Sequence, residues 1–370
     1  MKARRRPSMG LLLVALFLLT ATGEVRSQAG LAGGDSYALA EGERNLSFAG
    51  IPVPNYSEVL GFSLGVVGVA YYKLDRHDDV CPPSTTGLFG FYSENNSWIG
   101  AAFQQIHYDR DRWRGILAAG TGDIKYQFNP AAIDPGLPDL FLDYTTATDF
   151  AFLEASRLTW NHLYLGLDVV TWTAEVRLEQ DLVETEPQRY TGLGPMAELD
   201  RADHVFTPRH GWKASSHYLI YDESLGADRN FTKLFLKLTG YTTLGDSTRV
   251  LAARALAEMG FGEVPFSSQA IVSGNRNLRG YSDGRYRADQ LMTFEAEYRW
   301  NFWHRWGATT FAGVAFAVDD LAKASLDDAL PGGGIGLRYC MIQKYRINAR
   351  VDYGWGDGDQ AIYFSIGEAY

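Results

Sequence analysis

Arg279 carries the most chemistry of any residue in the chain. It stands in Leu278-Arg279-Gly280-Tyr281, beside a glycine that lets the backbone turn where a Cβ would clash. Its planar guanidinium is shaped for bidentate pairing with carboxylates. Carboxylates follow in Leu291 to Asn301, where Met292, Phe294, Ala296, Tyr298 and Trp300 alternate with Thr293, Glu295, Glu297, Arg299 and Asn301. That period of two makes a strand with one apolar and one charged face. Glu297 is the expected partner of Arg279, with Glu295 on the same face as second choice; the other reading of Arg279 is a solvated loop cation. The chemistry on offer is ion pairing rather than bond making.

Other reactive patterns are weaker. Gly61-Phe62-Ser63-Leu64-Gly65 matches the nucleophile elbow in letters, but an elbow needs a strand-to-helix turn and this stretch sits inside an alternating strand. His77-Asp78-Asp79 and Asp319-Asp320 read as solvated loop acids. The seven histidines are scattered, with no pair at metal-ligand spacing. No enzyme, metal or cofactor is expected.

The elements that would hold Arg279 follow from composition and pattern. Lys2, Arg4, Arg5 and Arg6 precede the apolar run Leu11 to Leu19, and small residues follow at Ala21, Gly23, Ser27 and Ala29. Residues 1–29 therefore read as a secretory signal peptide, too short in its apolar part to span a bilayer as a helix. Residues 30–58, punctuated by Gly and by Pro52 and Pro54, read as a periplasmic tether. Residues 59–370 contain no run of the ~20 apolar residues that a membrane helix needs, yet aromatics make up 14% of the chain. The formal charge of -10 excludes nucleic acid as a partner. Cys81 and Cys340 are the only cysteines, one in a polar loop and one in a predicted strand, and are read as unpaired.

About sixteen segments read as strands, beginning at 60–73, 84–94, 97–108, 112–119 and 122–128 and ending at 344–354 and 361–370. Tight connections are expected at Asn95-Asn96, Gly120-Thr121-Gly122, Trp160-Asn161-His162, Leu244 to Ser247 and Met341 to Gln343. Long polar ones are expected around Asp75 to Pro83, Asn129 to Tyr144, Leu178 to Arg189, Gly260 to Asp289 and Asp319 to Pro331. Lys233 and Lys237 alternate with Leu234, Leu236 and Leu238, and Arg350 and Asp352 with Val351 and Tyr353. Charges confined to one face suit a wet lumen better than a sealed core. The fold expected is all-β, a transmembrane antiparallel barrel, with a pair of β-sandwich domains as the alternative.

Several motifs together resemble the BamA/TamA superfamily of outer-membrane barrels, the bacterial surface-antigen domain. The family's long loop between strands eleven and twelve carries a Val-Arg-Gly-Phe/Tyr tip folded into the lumen; Leu278-Arg279-Gly280-Tyr281 stands at that place. The family's turn before strand nine is echoed by Asp200-Arg201-Ala202-Asp203 with Pro208 and Gly211. The ending Gly332 to Tyr339, then Arg350-Val351-Asp352-Tyr353-Gly354, then a terminal aromatic strand also fits. The resemblance is good over 197–370 and weaker before. It implies that Arg279 and Glu297 pin the loop inside the barrel. Two departures matter: residues 30–56 leave no room for the family's periplasmic domains, and Gly313 stands where the family's strand thirteen places an acid.

The seam expected from this reading joins a first strand containing Gly61, Gly65 and Gly68 to a last strand containing Phe364 and Tyr370. Glycines weaken pairing there, as a lateral gate for client strands would require; the plainer reading is that the terminal aromatic only directs insertion. The resemblance implies insertion or transport of polypeptides, with client polypeptides or separate periplasmic accessory proteins as partners besides outer-membrane lipid and lipopolysaccharide. The alternative is a structural or surface-antigen barrel with a plugged pore.

Overall fold

The computed structural model describes residues 46–57, 59–75, 78, 81, 83–128, 142–178, 186–204, 207–274, 276–343 and 346–370. The expected signal peptide, 1–29, lies outside the described residues. The strands are β1 (Leu46–Ser57), β2 (Gly61–Tyr72), β3 (Ser84–Ser93), β4 (Trp98–Tyr108), β5 (Trp113–Phe128), β6 (Leu142–Trp160), β7 (Leu163–Leu178), β8 (Gln188–Asp200), β9 (Gly211–Tyr221), β10 (Phe231–Thr243) and β11 (Arg249–Gly262). They continue with β12 (Ala270–Ile271), β13 (Arg287–Ala288), β14 (Gln290–Trp303), β15 (Trp306–Val318), β16 (Ala329–Ile342), β17 (Ile347–Gly356) and β18 (Asp359–Ile366). All but β12 and β13 form one closed antiparallel barrel, and those two make a small ladder inside the long connection from β11 to β14.

Two expectations about the strands fail. Gly120-Thr121-Gly122 is not a turn: β5 runs straight through it, paired from Trp98↔Asp123 to Tyr108↔Trp113 with β4. The glycines are there because neighbours come close, since a Cβ on Gly122 would meet the Trp98 carbonyl at 2.8 Å. The second failure is β1, which lies within the expected tether. Pro52 and Pro54 looked like breakers, yet the β1–β2 register runs unbroken through Pro52↔Val66 and Pro54↔Leu64. Alternate residues of an antiparallel strand bond to alternate sides, so both missing N–H groups belong to the opposite edge, the one that meets β18. There the barrel closes through the single register pair Tyr56↔Ile362.

Merging 112–128 into one strand also changes which connections share an end. Asp75 to Pro83 falls at the end of the tight turns at Asn161-His162 and Leu244 to Ser247, together with the Asp200–Gly211 turn. Asn95-Asn96 falls at the opposite end, with 263–289 and 319–328. From β6 onward most long connections gather at the second end, but the long 201–210 lies at the first and the tight Asp357-Gly358 at the second.

The two faces are as the alternation predicts. Phe294, Leu238 and Ile335 are 45%, 51% and 58% exposed on the outside, whereas Lys233, Glu297 and Asp352 are at most 1% exposed within. The inward face of the described residues is not uniformly charged, however. Phe152, Val170, Trp172, Tyr190 and Leu219 of β6 to β9 are buried and pack as one cluster, with the Trp172 and Tyr190 rings 4.3 Å apart. On this side the described residues pack an apolar cluster that closes the interior, with a few ionisable groups buried beside it; toward β14 to β18 it is ionic. Cys81 and Cys340 are both free thiols.

Candidate functional site: the lumenal loop and its ionic cage

The connection 263–289 folds into the barrel. Ala270, Val272, Leu278 and Tyr281 pack with Leu291 and Ala315 in a cluster closed to solvent. The loop shapes itself first: Ser273 N–H donates to Asn277 Oδ1 at 2.8 Å, and Asn277 Nδ2 donates to the Ile271 carbonyl at 2.8 Å. That tight bend aims Arg279 at the wall.

Arg279 is 2% exposed. Its Nη2 donates to Glu297 Oε2 at 2.7 Å and to Glu295 Oε1 at 2.9 Å, and its Nη1 to Asp352 Oδ2 at 2.8 Å. The backbone N–H adds a bond to Glu295 Oε2 at 3.0 Å. The guanidinium also lies 3.7 Å from the centroid of the Phe311 ring. The two acids expected as alternatives thus act together, and Asp352 joins them. Residue 313 stays glycine because the neighbouring strand and the loop together leave it no room: a Cβ there would stand 2.4 Å from the Phe294 carbonyl of β14 and 2.7 Å from Leu278 of the loop. Asp352, two strands away on β17, supplies a carboxylate from the other side.

Each acid is shared onward. Asp352 accepts from Arg338 and lies 3.5 Å from Arg350. Glu297 accepts from Arg299 Nε at 2.5 Å. Arg338 Nε donates to Glu368 at 2.9 Å, and Asn348 Nδ2 to the other oxygen of Glu368 at 2.6 Å. Arg254 reaches the loop from β11, donating to the Asn277 carbonyl at 3.0 Å. Buried charges are costly unless paired and hydrogen-bonded; here each Arg279 nitrogen finds an acceptor, so the cage holds the loop in one place.

Gly280 and Tyr281 extend the hold to the closing strands. Gly280 has φ +117°, and a Cβ on it would meet the Trp355 carbonyl at 2.5 Å, so the residue is glycine twice over. Its N–H donates to the Tyr363 hydroxyl at 3.0 Å, which in turn donates to the Tyr281 carbonyl at 3.1 Å. Tyr281 donates to the Pro331 carbonyl at 2.6 Å. Ser282 donates twice to Asp359, from N–H at 2.7 Å and from Oγ at 3.0 Å. On the far side, Arg287 donates to Tyr144 at 2.9 Å. One loop therefore touches β6, β11 and every strand from β14 to β18.

The remaining expected residues fall as follows. Asp200, Arg201, Asp203, Pro208 and Gly211 form the turn between β8 and β9. Asp203 accepts from the Arg209 and His210 N–H groups at 2.8 and 3.1 Å, and Gly211, at φ +98°, allows Arg201 to approach. Gly61, Gly65 and Gly68 lie on β2, not on the closing strand, so the seam is corrected to β1 and β18; the prolines had hidden β1. Phe364 is on β18 and faces out. Tyr370 lies beyond β18, its ring turned inward 4.5 Å from the Arg254 guanidinium and 5.8 Å from that of Arg279. Ser63 is buried within β2 and no helix follows it. Asp78 accepts from the nearby Cys81 N–H and from the Arg110 N–H in the β4–β5 connection, and Asp320 accepts from the Ala322 N–H in its own turn.

Sequence reasoning missed Arg338, Tyr363, Asp359 and Glu368. The signal for the first three was their inward phase on β16 and β18, legible once the ends of those strands are known; Glu368 gives no such signal.

Solved structures share this architecture. BamA from Haemophilus ducreyi lacking POTRA domains 1–3 is 14% identical, with 98% of this chain and 79% of that chain covered at a TM-score of 0.60. CdiB from Acinetobacter baumannii is 12% identical over 88% of this chain and 60% of its own, and CdiB from Escherichia coli 11% over 88% and 63%, each with a TM-score of 0.63. The chain thus spans about three-fifths of the length of the CdiB chains. No curated protein matches it. Residues 143–370 match the Omp85 superfamily domain, more than half of the chain and the whole of the ionic cage. The chain belongs to the Omp85 superfamily, whose barrels imply a place in the bacterial outer membrane.

Proposed function

We propose that this barrel, delivered to the outer membrane by the signal peptide at 1–29, takes part in inserting or transporting polypeptides there, without covalent chemistry. The seam carries this reading. β1 holds β2 over twelve register pairs from Leu46↔Tyr72 to Ser57↔Gly61 but β18 through Tyr56↔Ile362 alone. Pro52 and Pro54 leave the β1 edge short of donors, so β18 is weakly held there, and parting the two frees the edge of β18 to pair with a client strand. The caged loop keeps β14 to β18 together while the edge is open. Similarity to BamA and CdiB supports the same class of activity.

The closed interior favours a second reading, a structural or surface-antigen barrel without translocation. Deleting the gene separates the two: accumulation of unfolded outer-membrane proteins or of an unsecreted client supports transport, whereas changed surface antigenicity or lipid permeability alone supports the structural role.

A further inference from the structure

Away from the cage, on the apolar side of the interior, Glu154 of β6, Asp168 of β7 and His217 of β9 converge. Each offers one donor atom, and the three lie within 4.8 Å of one another. The ladders place them there: Glu154 pairs with Asp168 across β6 and β7, Asp168 with Gly194 on β8, and His217 with Met196 on the same β8. Their relative exposures are 1%, 0% and 7%. Along their own strands they are flanked by Phe152, Val170 and Leu219, all inward and buried.

His217 Nδ1 stands 2.7 Å from Asp168 Oδ2. An imidazole–carboxylate pair accounts for that contact and stops there. Asp168 Oδ1 is buried and meets no hydrogen-bond donor among the described residues. A fully buried carboxylate oxygen left without a partner is costly, and a second carboxylate stands beside it. The contact and the orphan are both satisfied by a cation seated between the three side chains.

We infer that Glu154, Asp168 and His217 form a binding site for a divalent first-row transition-metal ion of the zinc type, clamping β6, β7 and β9 from inside the barrel. Two carboxylates and one imidazole are the donor set of such an ion with one position left for water. Magnesium and calcium fit less well, because they take six or more oxygen ligands and seldom nitrogen. Bonds of about 2.0–2.2 Å require only that the side chains draw together around the ion. No activity of the barrel is needed for the site to exist, so the proposal is independent of transport.

The test is made on the folded full-length chain in detergent, stripped with a chelator and titrated with zinc and, separately, cobalt(II). One zinc per chain, a higher unfolding temperature with zinc, and an intense visible cobalt band of low-coordinate protein ligation are expected. His217→Ala and Asp168→Asn each weaken binding tenfold or more, while the heat-modifiable mobility of Asp168→Asn shows that it still folds. Folded wild type without the cobalt band, or variants that bind zinc as wild type does, would overturn the proposal. Equal binding of magnesium would overturn the choice of ion.

Discussion

Arg279 and Asp352 stand 73 residues apart in sequence and meet at 2.8 Å inside the barrel. The contact joins the tip of a loop that leaves β11 to the strand next to the last, so the position of the loop and the integrity of the closing sheet depend on one another. Arg279→Ala leaves Glu295, Glu297 and Asp352 buried with a cation removed, at a cost of about 3–5 kcal/mol. Limited proteolysis should then cut within 263–289, and heat-modifiable mobility should be lost at a lower temperature. Arg279→Lys should recover little, because a single ammonium cannot reach acids on β14 and β17 with the geometry of a fork.

Gly280→Ala tests the backbone rather than the charge. It sets a Cβ 2.5 Å from the Trp355 carbonyl at φ +117°, so a loss of at least about 1–3 kcal/mol is expected. Gly68→Ala, where a Cβ would meet nothing within 4 Å, is the control and should lower the unfolding temperature far less.

The seam is located by cross-linking. In a chain with Cys81 and Cys340 replaced by Ser, Tyr56→Cys with Ile362→Cys should oxidise to a disulfide, because they are register partners. Gly65→Cys with Phe364→Cys should not, since Gly65 pairs with Val53 and Phe91. If the edge opens in use, the first pair should abolish transport and a reductant restore it.

Charge on the outer wall should be penalised where charge on the inner wall is not. Leu238→Arg, at a position 51% exposed toward lipid, should cost ~2–4 kcal/mol if it sits near the membrane midplane. Folding yield into vesicles over a urea series measures this.

The turn between β8 and β9 should loosen in acid. Partial burial raises the Asp203 carboxyl, but the Arg209 and His210 N–H groups and the charges of Arg346 and His210 outweigh it and hold it below its ordinary value. A lowered folded-state pKa contributes stability above the unfolded value of about 3.9, lost as pH falls through the folded one. Amide exchange at Arg209 and His210 should accelerate there and not between pH 6 and 8; Asp203→Asn should remove the dependence.

The barrel and the inward phase of Glu295 and Glu297 were legible because alternation is local and survives any registration. The loop motif was legible from Arg279 and Gly280. Asp352 was not assigned to Arg279, although its inward phase was visible, because nothing in a sequence says which strands stand opposite one another. β1 was lost because two prolines argue against a strand unless one knows that it lies at an edge. The Glu154–Asp168–His217 cluster was invisible for a related reason: its members are fourteen and forty-nine residues apart on three strands, and only the ladder registers bring them to one level.

Pro52 and Pro54 bear finally on how such a molecule is made. Until the ring is complete, the outer border of β1 is a bare selvedge on which another nascent barrel could knit itself. A border stripped of donors at alternate stitches offers a stranger too poor a hem to hold, while the molecule's own last strand, tethered by the chain and held close by the loop, needs only a short stretch to fasten.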